Sequence, residues 1–194
     1  MQKMLITGGC GFIGSNFIKY LLTSPEIKEE IKILNVDKIT YAGQGKNIKH
    51  IYEQSKNKKF LTHYRFLHAD ICDFYTIDRA IKIFKPDFIV NFAAESHNSY
   101  AILNPTAFFK TNLIGTQVLL EAARKNNVKR FHHISTCEVY GDLDLNSKKK
   151  FTETTSYKPN TPYNASKAAA DLAVRAYFKT FNLHVHLRYV ARPR

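Results

Sequence analysis

Two side chains that could exchange a proton with a substrate stand four positions apart, Tyr163 and Lys167, in a Y-x-x-x-K arrangement. Residues four apart share one face of a helix. A lysine ammonium beside a phenol stabilises the phenolate and lowers its pKa from about 10 toward neutrality. The spacing therefore predicts that Tyr163 acts as a base toward a hydroxyl group. Ser135 and Thr136 place two further hydroxyl groups at the end of an apolar segment.

A glycine-rich turn lies near the start of the chain, Thr7-Gly8-Gly9-Cys10-Gly11-Phe12-Ile13-Gly14. It follows the apolar run Met4-Leu5-Ile6 and precedes a segment with helical periodicity, and strand, glycine turn and helix form the context of a dinucleotide site. Gly8 is expected to take the tight turn, Gly11 to let a pyrophosphate approach the backbone, and Gly14 to let the helix pack on the strand. The spacing is G-x-x-G-x-x-G, so a tight turn without a ligand is the alternative.

Two aspartates follow later apolar segments. Asp37 lies about twenty residues beyond the glycine turn, where a carboxylate accepts hydrogen bonds from a ribose and repels a 2′-phosphate. NAD is thus favoured over NADP, although the neighbouring Lys38 weakens that argument. Asp70 ends the next apolar segment and could hold adenine in the same way. The alternatives are a turn residue for Asp37 and a helix-proximal cap for Asp70.

Strands and helices alternate along the chain. The apolar runs predict six strands, at residues 4–6, 31–36, 64–68, 88–92, 131–135 and 184–189. Helices are expected at about 47–56, 74–84, 105–125 and 163–181, with Asp73 as an N-cap and Leu113, Val118, Leu119 and Ala122 buried. Helices between buried strands imply right-handed crossovers and a parallel sheet. The fold class is therefore α/β, a doubly wound, Rossmann-like parallel sheet with strand order 3-2-1-4-5-6.

Composition narrows the function classes. The chain has 194 residues and a net charge of +13, but its lysines are spread out, and the clusters Lys56–Lys59 and Lys148–Lys150 contain no aromatic residues. Solvated loops are favoured over a nucleic-acid surface. No apolar run reaches the roughly 18 residues of a membrane span. The N-terminus lacks a signal-peptide pattern, and three scattered cysteines indicate neither disulfides nor a metal site, so a cytoplasmic protein is expected.

Seven phrases, in order along the whole chain, carry a resemblance to a known family. They are the glycine turn with Ser15, Val36–Gly43, His68–Asp73, Asn91–His97, Thr111–Thr116, His132–Asp142 and Pro162–Lys167. The chain resembles the extended short-chain dehydrogenases/reductases that act on nucleotide sugars, and among them the dTDP-glucose 4,6-dehydratases. The Ser-Thr-x-Glu-Val-Tyr-Gly phrase at 135–141 separates these dehydratases from most epimerases of the superfamily.

The resemblance implies an NAD-dependent reaction on dTDP-glucose and a homodimer. Tyr163 would take the proton of the sugar O4 as NAD accepts hydride from C4, Glu138 would remove the C5 proton, and an acid would protonate the C6 hydroxyl so that water leaves. Thr136 would complete the hydroxyl triad and Ser96 would lie near the sugar, so that Ser96, Thr136 and Glu138 are the expected substrate residues. The expected cofactor residues are Gly8, Gly11, Phe12, Ile13, Gly14, Asp37, Lys38, Thr40, Asp70, Ile71, Ala93, Ala94, Thr111, Tyr163 and Lys167.

Three departures from the family pattern limit this expectation. Cys137 stands in place of the family's acid, the segment His97–Ala101 replaces His-Val-Asp-Arg-Ser, and the chain stops where the family continues. Residues 1–194 are thus expected to form the NAD-binding domain with the substrate-binding C-terminal domain largely absent, and dehydration is expected to be impaired. A nucleotide-sugar 4-epimerase or oxidoreductase and a non-catalytic dinucleotide-binding module are the alternatives.

Overall fold

The computed structural model describes residues 1–54, 62–144, 146, 148 and 150–190. Six strands form one parallel sheet in the order β3-β2-β1-β4-β5-β6, which confirms the predicted strand order. The strands are β1 (Gln2–Thr7), β2 (Ile31–Asp37), β3 (Tyr64–His68), β4 (Phe88–Asn91), β5 (Arg130–Thr136) and β6 (Val185–Val190). Each was predicted to within two residues at either end.

Helices connect these strands. They are α1 (Phe12–Thr23), α2 (Gly45–Gln54), α3 (Phe74–Phe84), α4 (Asn98–Leu103), α5 (Pro105–Phe108), α6 (Thr116–Lys125) and α7 (Pro162–Phe181), with a 3₁₀ turn at Cys137–Tyr140. Asp73 caps α3 as predicted, since its carboxylate accepts a hydrogen bond from the Thr76 N–H. Of the two lysine clusters, the one at 148–150 has Lys148 and Lys150 exposed, as expected for a solvated loop. The other cluster, at residues 56–59, lies outside the described residues.

The predicted helix at 105–125 needs a correction, because a π-helical segment, Phe109–Gly115, separates α5 from α6. A π segment changes which side chains face inward. Thr111 and Asn112 are buried there, whereas Leu113, which was predicted to be buried, is only half-buried. Val118, Leu119 and Ala122 of α6 are buried as predicted.

The two faces of the sheet carry separate apolar clusters. On one face Leu5 and Phe131 pack with residues of α3, α6 and α7, and on the other Ile6 and Ile33 pack with Ile18 of α1. A sheet covered by helices on both faces has strands that are nearly continuously apolar. The parallel register brings the C-terminal ends of all the strands to one edge, which is where such sheets bind ligands. No helix in the described part of the chain is long and apolar enough to cross a membrane.

Candidate active site

A cavity of about 600 Å³ opens at the C-terminal edge of the sheet. Eighteen of the nineteen residues that the sequence singled out line it: Gly8, Gly11, Phe12, Ile13, Gly14, Asp37, Lys38, Thr40, Asp70, Ile71, Ala93, Ala94, Ser96, Thr111, Thr136, Glu138, Tyr163 and Lys167. Cys137 is not among its lining residues; its side chain packs on the cluster of Val139, Tyr140 and Ala168. The role of Cys137 as the family's acid therefore stays a prediction.

The three glycines of the G-x-x-G-x-x-G spacing, Gly8, Gly11 and Gly14, have different environments. Gly8 has φ +69°, and a Cβ there would lie 2.5 Å from the backbone nitrogen of Ala93. A Cβ on Gly14 would collide with the carbonyl oxygen of Gly8. A Cβ on Gly11 would meet only that same oxygen, at 3.3 Å. Packing within the chain thus requires Gly8 and Gly14, whereas Gly11 leaves space at the cavity wall, beside the uncapped N-terminus of α1. This cradle fits the pyrophosphate of a dinucleotide.

Asp37 shapes the turn as well as facing the cavity. Its carboxylate accepts hydrogen bonds from the Cys10 N–H at 2.9 Å and the Ile39 N–H at 2.8 Å. The side chain is nearly buried, and a Cβ on Gly43 would lie only 3.1 Å from Oδ1. Asp37 is therefore a turn residue that also lines the cavity, and its role toward a ribose stays a prediction.

Lys38 lies among acceptors of the protein itself. Its Nζ is 3.5 Å from Asp70 Oδ2, 3.7 Å from Glu95 Oε1 and 3.3 Å from Thr111 Oγ1. Burial raises the pKa of Asp70, but the Cys72 N–H and the charge of Lys38 outweigh it, so the pKa lies below its ordinary value. Asp70 thus stays ionised, and the Lys38 ammonium faces carboxylates rather than an open anion site.

Tyr163 and Lys167 lie in the first turns of α7, which Thr161 caps by accepting a hydrogen bond from the Asn164 N–H. The Tyr163 ring packs edge-on against Phe108, with 6.3 Å between the ring centroids. Lys167 is 3% exposed and donates from Nζ to the carbonyl oxygen of Ile134 at 2.7 Å. Burial lowers the pKa of Lys167 to about 8, against the opposing effect of the Asp171 carboxylate.

Thr136 is the last residue of β5, and Glu138 lies in the 3₁₀ turn that follows it. The Thr136 hydroxyl accepts a hydrogen bond from the Glu138 N–H at 3.3 Å and so caps the 3₁₀ turn. Glu138 Oε2 accepts a hydrogen bond from Asn98 Nδ2 at 3.1 Å. The carboxylate is therefore held in place at the cavity that Tyr163 and Lys167 also line.

Some residues around the site escaped the sequence analysis. Glu95 is buried at the cavity wall, and its backbone N–H and carbonyl both bond to the side chain of Asn112 in the π segment. Asn112 also donates to the Ser166 hydroxyl at 2.9 Å, which joins the π segment to α7. Behind Lys167 lie His133 and Asp171. A visible signal existed for Asp171, because it continues the four-residue spacing of Tyr163 and Lys167.

The sequence and the fold are similar to those of known proteins. The family model described as GDP-mannose 4,6 dehydratase matches residues 5–190. The dTDP-glucose 4,6-dehydratase of Salmonella typhimurium is 43% identical over 198 residues, a match that covers 94% of this chain and 52% of that protein. The dTDP-glucose 4,6-dehydratase DesIV of Streptomyces venezuelae, solved with NAD and TYD bound, has a TM-score of 0.84 at 39% identity, covering 96% of this chain and 54% of that one.

A more distant neighbour is the UDP-glucose 4-epimerase of Thermus thermophilus, solved in complex with NAD, with a TM-score of 0.80 at 27% identity over 96% of this chain and 54% of that one. The Rossmann-like sheet, its glycine turn and the Tyr163–Lys167 pair define a short-chain dehydrogenase/reductase type of domain. The chain belongs to the GDP-mannose 4,6 dehydratase family. It spans about half the length of the curated relatives it matches.

Proposed function

We propose that this chain carries the NAD-binding and catalytic part of a dTDP-glucose 4,6-dehydratase, a lyase that converts dTDP-glucose to its 4-keto-6-deoxy product. The observation that carries the proposal is a single cavity lined by the glycine turn, by Asp37 and by the set Thr136, Glu138, Tyr163 and Lys167. The similarity to dTDP-glucose 4,6-dehydratases supports it.

The residues present fit NAD. The turn around Gly11 would take the pyrophosphate, and Asp37 would accept hydrogen bonds from a ribose. Because Lys38 lies against Asp70 and Glu95, it is not a free partner for the 2′-phosphate of NADP. When bound, NAD supplies the acceptor, and later the donor, of a hydride.

The side chains of this chain then handle protons. Tyr163 takes the proton of the sugar O4, helped by the ammonium of Lys167 and by a hydrogen bond from the Thr136 hydroxyl to the reacting oxygen. Glu138 takes the C5 proton, which the neighbouring C4 ketone has made acidic. Ser96, which lines the same cavity between Glu95 and the start of α4, contacts the sugar. Loss of water from C6 needs a proton donor, and Cys137 holds that position in the sequence.

A thiol is a poorer hydrogen-bond donor than a carboxylic acid, so the loss of water is expected to be the slow step. General acid catalysis contributes about 10²–10⁴-fold. Cys137→Asp should therefore raise the rate of product formation within that range, while Cys137→Ser should not. An equal rate in all three proteins would remove Cys137 from the mechanism.

The deciding experiment incubates the protein with dTDP-glucose and NAD in deuterated water and follows the 4-keto-6-deoxy product by NMR. Dehydration leaves deuterium at C5 of the product, and Tyr163→Phe should abolish both product and exchange. NAD binding without any turnover would instead indicate a non-catalytic dinucleotide-binding module.

A 4-epimerase is the second candidate, favoured by the fold shared with UDP-glucose 4-epimerases. Epimerisation needs Tyr163 and Lys167 but has no use for a base at C5. Glu138→Gln distinguishes the two, since it should stop dehydration and leave epimerisation of UDP-glucose intact. The same proposal includes a homodimer, which the family resemblance implies, and a cytoplasmic location. The three cysteines are free thiols, which fits a reducing compartment. Analytical ultracentrifugation tests the dimer.

A further inference from the structure

A buried polar cluster lies behind Lys167, away from the cavity, and the proposed mechanism does not use it. His133 of β5 is fully buried, and its Nε2 lies 3.3 Å from Lys167 Nζ and 3.6 Å from Asp171 Oδ1. Asp171 is 1% exposed and stands one helical turn after Lys167 on α7. Its Oδ2 accepts hydrogen bonds from the Ser135 hydroxyl at 2.7 Å and from the Tyr157 hydroxyl at 3.2 Å.

The hydrogen bonds of Asn91 define the tautomer of His133. The Thr7 hydroxyl lies 2.6 Å from Asn91 Oδ1, a length typical of an O–H donor and a carbonyl acceptor. The amide nitrogen of Asn91 therefore faces His133 Nδ1, at 3.1 Å, and donates to it. The ring proton then resides on Nε2, on the side of Asp171 and Lys167. Burial and the charge of Lys167 lower the pKa of His133 well below its ordinary value, so the ring is neutral.

This tautomer leaves Lys167 in need of a counter-ion. A protonated Nε2 accepts nothing from the ammonium and turns the positive end of its dipole toward it. A buried ammonium without a compensating charge is strongly disfavoured. Asp171 Oδ1 makes no hydrogen bond within the described residues, so this oxygen is available to the N–H of His133 and to the field of Lys167.

The other titratable groups around the cluster are one histidine and three tyrosines. They are His132 on β5, Tyr140 on the 3₁₀ turn, Tyr157 on the loop before α7, and Tyr189 on β6, whose hydroxyl contacts that of Tyr157 at 2.6 Å. Burial raises the pKa values of Tyr140 and Tyr157 further. Asp171 is the group whose negative charge acts on Lys167.

We propose that Asp171 is a positioning residue that serves as the buried counter-ion of Lys167, and that His133, which lies 3.3 Å from Lys167 Nζ and 3.6 Å from Asp171 Oδ1, connects the two groups. The working unit on α7 is then Tyr163, Lys167 and Asp171, in a Y-x-x-x-K-x-x-x-D arrangement. Its consequence for catalysis, a lysine that is charged when Tyr163 takes a proton, rests on the proposed function. The electrostatic claim itself does not.

The test measures the titration of Lys167 in the intact chain by NMR of ¹³C-labelled lysine, with Lys167→Met to assign the signal. Wild type should titrate near the pKa of about 8 given above. In Asp171→Asn the pKa of Lys167 should fall by about one to three units, the usual effect of a close opposite charge. Asp78→Asn is the matched control, because it removes a carboxylate that pairs with Lys82 on the surface. An unchanged Lys167 titration in Asp171→Asn would overturn the proposal.

A second measurement covers the case in which Asp171→Asn does not fold. In wild type, the Lys167 signal should show a smaller inflection where Asp171 titrates, because burial raises the pKa of that carboxyl to about 6. Tyr157→Phe removes one hydrogen bond to the carboxylate and should move this inflection to higher pH. A Lys167 signal without that inflection contradicts the pairing.

Kinetics then separate this inference from the proposed function. With dTDP-glucose, Asp171→Asn should shift the pH profile of transient NADH formation, and in Asp171→Glu the profile should lie closer to that of wild type. If Asp171 were purely structural, its replacement would change the amount of folded protein and leave the pH profile in place. A wild-type protein that forms no 4-keto-6-deoxy product from dTDP-glucose would refute the proposed function and leave the Lys167 titrations to decide on Asp171.

Discussion

Asn98 links Glu138 to the beginning of the helix that carries Tyr163. Its Nδ2 donates to Glu138 Oε2 at 3.1 Å, and its Oδ1 accepts a hydrogen bond from the Thr161 hydroxyl at 3.0 Å. Thr161 is the N-cap of α7. One side chain thus positions the proposed C5 base relative to the proposed O4 base. Asn98 lies in the segment His97–Ala101, which departs from the family pattern.

Replacement of Asn98 by valine should slow proton removal at C5. Hydrogen bonds to charged groups contribute about 1.5–3 kcal/mol, which sets the expected loss at about 10- to 100-fold. Hydride removal from C4 should change little, because Tyr163 and Lys167 keep their own contacts. The measurement compares deuterium incorporation at C5 with the formation of NADH, and Ser99→Ala on the same short helix is the control. Equal losses in both steps would contradict a specific role for Asn98.

Asp37 should make the chain prefer NAD to NADP. Its carboxylate would lie against a 2′-phosphate, and Lys38 is already paired with Asp70 and Glu95. We expect NAD to bind at least about tenfold more tightly, a difference of ~1.4 kcal/mol. Calorimetric titration with both cofactors measures this, and Asp37→Asn should narrow the ratio. Equal affinities in wild type would remove this role of Asp37.

Much of this architecture could be predicted because its signals are local. Nearly continuous apolar strands separated by helical segments imply a parallel, doubly wound sheet, and the rules for crossovers leave few strand orders. The cofactor and catalytic motifs are short phrases at strand ends, and the parallel sheet brings these ends together. The cavity at the C-terminal edge follows from both facts.

What escaped prediction depends on contacts between distant segments. The apolar spacing at 105–125 is that of an ordinary helix, and the π segment is visible only once Asn112 reaches Glu95 and Ser166. The approach of His133 to Lys167 and Asp171 likewise joins β5 to α7, across 34 residues of sequence in the case of Lys167. The sequence around His132 and His133 gives no sign of such partners.

Gly11 and Gly14 should respond differently to replacement by alanine. Gly11→Ala should keep the stability of the chain and lose NAD affinity by about tenfold or more, because its Cβ would occupy space kept for a ligand. Gly14→Ala should instead unfold more easily, by about 1–3 kcal/mol, because its Cβ would press on the backbone of the turn.

Gly45→Ala is the control for both variants, since a Cβ there would have no neighbour within 4 Å. It should be neutral or slightly stabilising. Urea unfolding and calorimetric titration of NAD on all three variants separate stability from binding. A Gly11→Ala protein that binds NAD normally would show that the turn does not approach the cofactor.

Asp171 should leave a signature in the pH dependence of stability. Burial raises the pKa of its carboxyl from 3.8 to about 6 in the folded chain. Between these values the folded state holds a proton that the unfolded state has released, so the contribution of this group to stability is fully present below pH 3.8 and is lost as the pH rises through 6. The stability of wild type relative to Asp171→Asn should therefore fall over this window, by on the order of 1 kcal/mol per pH unit, and level off above it.

Urea unfolding of both proteins at several pH values between about 4 and 8 measures this difference. Asp78→Asn is the control with the opposite sign. Hydrogen bonds from Lys82 and Asn126 lower the pKa of the Asp78 carboxyl below 3.8 in the folded chain. The stabilising contribution of Asp78 is therefore present above pH 3.8 and is lost only as the pH falls below that value. Between about pH 4 and 8, the difference in unfolding free energy between wild type and Asp78→Asn should therefore not change with pH. Over the lower part of the same range, up to the Asp171 pKa of about 6, the difference between wild type and Asp171→Asn should fall as the pH rises. A flat difference for both variants would mean that Asp171 is ionised throughout, a carboxylate so well compensated by Lys167, Ser135 and Tyr157 that burial no longer raises its pKa.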